Sequence, residues 1–198
     1  MTVTTGQQRA RADRLPPRDR LLAAATELFA ERGVHAVGID RILREAGVAK
    51  ASLYTTFGSK DELVAAYVCS LDERDRDRWA GAVADEADPT AKVLTFFDLA
   101  LAGQEPHHRG CLYLGVASDY PEATTAGERA VRAAITAHRD WFFTTIADLL
   151  RQDGRDDAEE LARRLRVLYD GALAGSKLAH DGEPLRTARD LAAGMLAR

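Results

Sequence analysis

From Pro17 onward, apolar residues recur at helical spacing: Leu21, Leu22, Ala25, Leu28 and Phe29 form one stripe, and Gly33 after Arg32 supplies a stop. Pro17 suits a first helical turn, where its missing N–H would have had no partner. Ile39, Ile42, Leu43 and Ala46 predict a second, short helix closed by Gly47, and Leu53 with Phe57 predict a third of barely two turns. Ser59-Lys60-Asp61-Glu62 then fits a capping box, Ser59 capping the backbone and Glu62 reaching back. A fourth helix is expected from residue 60 to about 84, through Leu63, Tyr67 and Leu71 toward Trp79, polar over Asp72 to Arg78. Beyond Pro89 the spacing predicts helices over 91–102, 111–118, 128–151, 157–180 and 185–197, with Gly- and Pro-bearing loops near 103–110 and 119–127 and a further loop at 152–156. No alternating strand of convincing length occurs, so the pattern predicts an all-α chain.

Residues 1–16 are polar, lack this periodicity and end at Pro16-Pro17, which predicts a flexible arm. At 198 residues the chain fits one domain, or a small module joined to a larger one. Two cysteines point to a reducing compartment. The start MTVTTGQQRA has no apolar core of a signal peptide, and no apolar run approaches the roughly 18 residues of a membrane helix, so a cytoplasmic protein with no membrane partner is expected. A formal net charge of -4 argues against nucleic acid only if the charge is evenly spread. It is not: residues 1–62 hold 10 Lys/Arg against 8 Asp/Glu, and the remainder holds 17 against 23. The acidity belongs to the larger, C-terminal part.

The two short helices joined through Gly47 form a compact pair whose second member can lie in a major groove. With Val48, Leu53 and Phe57 inward, the outer face carries Lys50, Ala51, Ser52, Tyr54, Thr55 and Thr56: a lysine for phosphate, hydroxyls for phosphate or base edges, and small residues that permit close approach. In Ile42, Ala46-Gly47-Val48, Lys50, Leu53-Tyr54, Phe57, Ser59-Lys60 and Glu62-Leu63, preceded by Leu28-Phe29 and Gly33, the sequence resembles the TetR family of transcriptional regulators. Gly38 and Ala49 depart from the family's usual Ser or Thr, removing side-chain caps, and Thr56 stands where His is frequent.

The resemblance implies a helix-turn-helix DNA-binding domain over 17–62 and a larger helical ligand-binding and dimerisation domain over 63–198. It implies a homodimer on a near-palindromic double-stranded DNA operator, usually repressing nearby genes and released by a small-molecule effector. Lys50, Ala51, Ser52, Tyr54, Thr55, Thr56 and Lys60 would form the DNA face, with Tyr54 and Lys60 on phosphates. Arg9, Arg11 and Arg14 of the arm are candidates for a minor groove.

Independently of the family, Leu161, Leu165, Leu168, Ala172, Gly175 and Ala179 make a seam suited to a partner helix, taken here as the candidate dimer interface. Val167, Gly171, Ala174 and Leu178 form a second stripe roughly 110° away. Phe97, Cys111, Tyr113, His138, Trp141, Phe142 and Tyr169 are candidate pocket residues for an apolar or aromatic effector, against the alternative of ordinary core. His107-His108 and Cys111 offer three possible ligands where a structural zinc site wants four, so no metal and no cofactor is expected. Cys111 at a helix start leaves a thiol-based redox or electrophile sensor as an alternative, and an architectural DNA-binding protein without inducer as another. No GxSxG, HExxH or phosphate loop occurs, so an enzyme is not expected.

Overall fold

The computed structural model describes residues 15–104 and 109–197. Among them are nine helices and no strand: α1 Pro17–Arg32, α2 Ile39–Ala46, α3 Lys50–Phe57, α4 Lys60–Ala82, α5 Pro89–Gln104, α6 Leu112–Asp119, α7 Ala126–Gln152, α8 Ala158–Ala179 and α9 Glu183–Leu196. The arm's arginines and His107-His108 lie outside the described residues.

The ends follow local chemistry. Gly47 adopts the left-handed conformation (φ 61°, ψ 39°) that lets the chain turn sharply from α2 into α3. Neither Gly38 nor Ala49 makes a side-chain cap, as their identities predict. Ser59 Oγ accepts from the Glu62 N–H at 3.1 Å, forming the Ser59 half of the expected box at α4. A reciprocal box absent from the sequence reading opens α7: Glu128 N–H donates to Thr125 Oγ1 (3.2 Å) while Thr125 N–H donates to Glu128 Oε2 (2.9 Å). It starts α7 two residues before the predicted 128.

The chain divides into two compact units, with boundaries inside α4, after the first residue of α6, and inside α7. The first comprises the described residues up to Ser70 together with Tyr113–Ile135, so residues 63–70 and 113–135, assigned by sequence to the C-terminal domain, group with the helix-turn-helix. Leu21, Leu28 and Phe29 of α1, Ile42 of α2, Leu53 of α3 and Leu63 and Tyr67 of α4 fill its core, with the Phe29 and Tyr67 rings edge to face at 5.3 Å. The second unit comprises Leu71–Leu112 and the residues from Thr136 onward. Its core draws on Val93 and Phe97 of α5, Ile146 and Leu150 of α7, Leu161 and Leu165 of α8, and Leu185 and Ala192 of α9.

That core corrects the expected use of α8. Leu161, Leu165 and Ala172 are buried within the chain, Leu168 packs partly buried against the same cluster, and a Cβ on Gly175 would lie 3.0 Å from Pro184 Cβ of α9. Ala179, at the helix end, is exposed. Leu161, Leu165, Ala172 and Gly175 of the seam are therefore taken up by α8's own neighbours, because leucines spaced at helical intervals serve an intramolecular helix as well as a foreign one. The second stripe is the open one: Val167 is 71% and Leu178 84% exposed, Gly171 is exposed and Ala174 half-buried.

Candidate nucleic-acid interface and ligand site

In the first unit, α3 buries Leu53 and leaves Lys50, Ala51, Tyr54, Thr55 and Thr56 exposed, with Ser52 half-buried. Lys50 Nζ lies 3.8 Å from Asp40 Oδ1, both largely in water, so the pair is weak and leaves the lysine available to a phosphate. Two bonds from elsewhere hold this reader. Arg20 of α1 donates Nη2–H to the Gly47 carbonyl at 2.9 Å, pinning the α2–α3 turn. Lys60 donates Nζ–H to the Val34 carbonyl at 2.8 Å and is half-buried; burial lowers its pKa, against the opposing influence of Asp61 and Asp119. Lys60, expected on a DNA phosphate, is thus engaged in bracing the α1–α2 loop.

A third set of contacts joins Tyr113–Ile135 to the reader within the same unit. Tyr120 Oη–H donates to Asp61 Oδ1 at 2.8 Å, and the His35 N–H donates to Asp119 Oδ2 at 3.0 Å. Burial first, and then Asp61, raise the Tyr120 pKa, which keeps the phenol protonated as donor. Gly127 packs against the same aspartate: a Cβ there would lie 2.7 Å from Asp61 Cβ.

In the second unit the aromatic residues are contiguous. Phe97 meets Tyr169 edge to face (5.4 Å), Tyr169 tilts on Phe142 (4.7 Å), Phe142 meets Phe96 (4.7 Å), and Phe96 meets Trp141 (5.7 Å). His138 Nδ1 lies 2.9 Å from Asp72 Oδ1, and its ring is 5.7 Å from that of Trp141. Burial holds His138 below its ordinary pKa although Asp72 and Asp75 pull the other way. Tyr169 is pushed well up, chiefly by burial. Cys111 packs half-buried against the same core, near enough to Arg139 and Tyr169 to influence both electrostatically. Of the seven sequence-predicted pocket residues, Phe97, Cys111, His138, Trp141, Phe142 and Tyr169 fall in this unit, whereas the buried Tyr113 groups with the reader.

The family model for bacterial regulatory proteins of the tetR family matches residues 21–67. The crystal structure of SCO4454, a TetR-family transcriptional regulator from Streptomyces coelicolor, is 36% identical and superposes with a TM-score of 0.80, covering 91% of this chain and 94% of that one. The chain belongs to the TetR family of transcriptional regulators. It is also similar to the HTH-type transcriptional regulator LmrA of Bacillus subtilis, 28% identical over 171 residues that cover 85% of this chain and 90% of LmrA. A transcriptional regulator from Saccharomonospora viridis, solved in complex with choline, is 25% identical with a TM-score of 0.74, covering 90% of this chain and 94% of that one.

A TetR-family regulator binds DNA and acts as a dimer, and its relatives here are regulators, not enzymes. Among the described residues, no helix is long and apolar enough to cross a membrane. The exposure of Lys50, Ala51, Tyr54, Thr55 and Thr56 follows the expectation from sequence. The contacts of Arg20 with Gly47, of Tyr120 with Asp61 and of Gly127 with Asp61 span 27 to 66 positions and carry no local signature. Asp72, Arg76 and Trp79 lie beside the candidate pocket residues without having been predicted among them, although they recur at helical spacing on one face of α4.

Proposed function

We propose that this TetR-family chain is a homodimeric repressor that leaves a near-palindromic operator when a small molecule binds the unit of Leu71–Leu112 and Thr136 onward. The observation that carries the reading is α3, where a buried Leu53 backs an exposed Lys50, Ala51, Tyr54, Thr55 and Thr56. The lysine and hydroxyls suit phosphate and base edges, and Ala51 lets the helix approach closely.

Self-association is supported by the apolar face left open on α8 and α9. Val167, Leu178 and Leu191 are exposed, and an open groove of about 650 Å³ runs between Val167, Leu168, Leu191 and Met195, with Glu160 and Arg163 at its rim. Covering each such side chain stabilises an assembly by about 1.5–3 kcal/mol, and acid and base on one rim suit a two-fold pairing of identical faces. The contiguous aromatic residues, and the choline held by the Saccharomonospora viridis relative, support a small-molecule site in the second unit.

The dimer binds when its two α3 helices match successive major grooves, about 34–36 Å apart. An effector that favours another spacing lowers operator affinity only by its differential affinity for the two states. Helix α4 begins in the reader unit and continues into the second, which makes it one carrier of the change. Residues 113–135 are another, because Asp119 and Tyr120 bond to the α1–α2 loop and to α4 within the reader unit.

The test is recovery of genomic DNA fragments on the purified chain, with sedimentation of the free protein. A palindromic fragment beside its own gene, bound by a dimer and released by a small molecule, is the expected outcome. Widespread binding without a palindrome, or a monomer at micromolar concentration, would overturn it.

A further inference from the structure

Asp72, Arg76 and Trp79 stand four and three residues apart on one face of α4. Arg76 Nε–H donates to Asp72 Oδ2 at 2.8 Å, and the guanidinium carbon sits 4.8 Å from the centroid of the Trp141 ring. Trp141 is edge-on to Trp79 (6.2 Å) and to Phe96 (5.7 Å), which are themselves stacked at 5.1 Å with 11° between planes. Asp72 Oδ1 faces His138. The geometry is that of a cation seat: a ring face on one side and a carboxylate on the other. The cation in it is the chain's own.

The two partners are unequally held. The Asp72 side chain is 15% exposed and the Arg76 side chain 39%, so the carboxylate is fixed inside while its guanidinium arrives from the solvent side on a long flexible stem. Arg76, at 2.8 Å, is the permanent cation beside Asp72, whereas burial, and to a lesser extent Arg76 itself, hold the neighbouring His138 below its ordinary pKa. A part-buried carboxylate that loses its cation is strongly disfavoured. A neutral or anionic ligand entering here would leave Asp72 in that state, whereas a ligand bringing its own cation would replace what it removes.

We propose that the Trp141–Asp72 seat is the recognition element of the effector site, and that it takes an organic cation on an apolar or aromatic body, which displaces Arg76. This rests on the effector reading above and supplies its ligand class. Arg76 then acts as an internal competitor, lowering apparent affinity by the fraction of time it fills the seat.

The chain holds two tryptophans, Trp79 and Trp141, and both border the seat, so intrinsic fluorescence reads it directly in the full-length protein without DNA. The probes are phenyltrimethylammonium, benzyl alcohol and benzenesulfonate, titrated at neutral pH. A saturable change with the ammonium alone is expected. Arg76→Ala, or Arg76→Gln if the alanine variant folds poorly by circular dichroism, should tighten ammonium binding about 5- to 30-fold, the range of a desolvated cation–π contact with its ion pair. Asp72→Asn should weaken it at least about 10-fold. No saturable ammonium response in wild type and in the Arg76 variants overturns the proposal, as does an equal response to benzyl alcohol or weaker binding after removal of Arg76. If Asp72→Asn does not fold, charge selectivity and the sign of the Arg76 effect still decide. Ammonium binding with these signatures while the recovered operator fragment stays bound would keep the seat and overturn the effector reading.

Discussion

Replacing Gly47 by alanine tests how the reader is held. At φ 61° an alanine pays left-handed strain of about 1–2 kcal/mol. Its Cβ would also lie 2.6 Å from Arg20 Nη2, the end of a flexible side chain that must swing away and give up its bond to the Gly47 carbonyl. A charged donor at an exposed carbonyl is worth about 1 kcal/mol, below the buried range, so Gly47→Ala should cost about 2–3 kcal/mol. Gly58 is the contrast: at φ 77° and ψ -41° it lies outside the left-handed well, toward the strained γ-turn region, so Gly58→Ala should cost more than left-handed strain alone although nothing lies within 4 Å of a Cβ there. Urea denaturation at fixed protomer concentration measures both and requires no operator. Within an Arg20→Ala background the Gly47→Ala cost should shrink by about 1 kcal/mol. Additivity of the two substitutions to within about 0.3 kcal/mol would refute the view that Arg20 braces the turn.

Tyr120→Phe removes the bond to Asp61 and should lower stability by about 1–2 kcal/mol by denaturation, and blunt effector release of the operator fragment more than it weakens basal binding. Lys50→Ala should leave stability within about 0.5 kcal/mol and reduce the salt slope of DNA binding by about 1 per subunit, whereas Lys60→Met, losing the Val34 carbonyl, should lower stability and leave the slope nearly unchanged. Leu178→Glu should shift the protein toward monomer in sedimentation at micromolar concentration, while the matching change at Leu165 should unfold it. The neutral imidazole of His138 contributes stability that is full above its unfolded value of 6.5 and is lost as pH falls from there through its lower folded value, so His138→Gln should flatten the decline of stability below pH 6.5.

The helices were legible because each is written in adjacent residues. Gly33, Gly47 and Gly58 close α1, α2 and α3, and the apolar spacing places all the later helices within about two residues of where they lie. Where α7 begins earlier than periodicity predicts, the reason is still local, since Thr125 and Glu128 satisfy each other's backbone donors before the apolar stripe starts. The exposed face of α3, the proposed recognition face, was legible for the same reason: α3 is eight residues long, and once Leu53 is assigned inward the exposed positions follow. The bonds that hold it were not. Arg20 and Gly47, or Asp61 and Tyr120, meet only after the helices have packed, and no spacing rule encodes which distant carbonyl or carboxylate a side chain will reach.

The two stripes of α8 make the limit concrete. Both fit a helix, and small residues occur in each, so periodicity counts two neighbours without saying which belongs to the same chain. The larger side chains decide it physically: Leu161 and Leu165 fill the core with α9 and α5, and Gly175 gives Pro184 of α9 its close approach. What remains open is the stripe with fewer large residues, Val167 and Leu178 flanking Gly171 and Ala174, joined by Leu191 across the groove. A face built that way lets a second backbone come near, and its apolar ends bury little until it does. In the proposed dimer, stability of the single chain and pairing of two chains fall on different stripes of one helix, roughly 110° apart, so substitutions at Leu165 and Leu178 should separate folding from assembly.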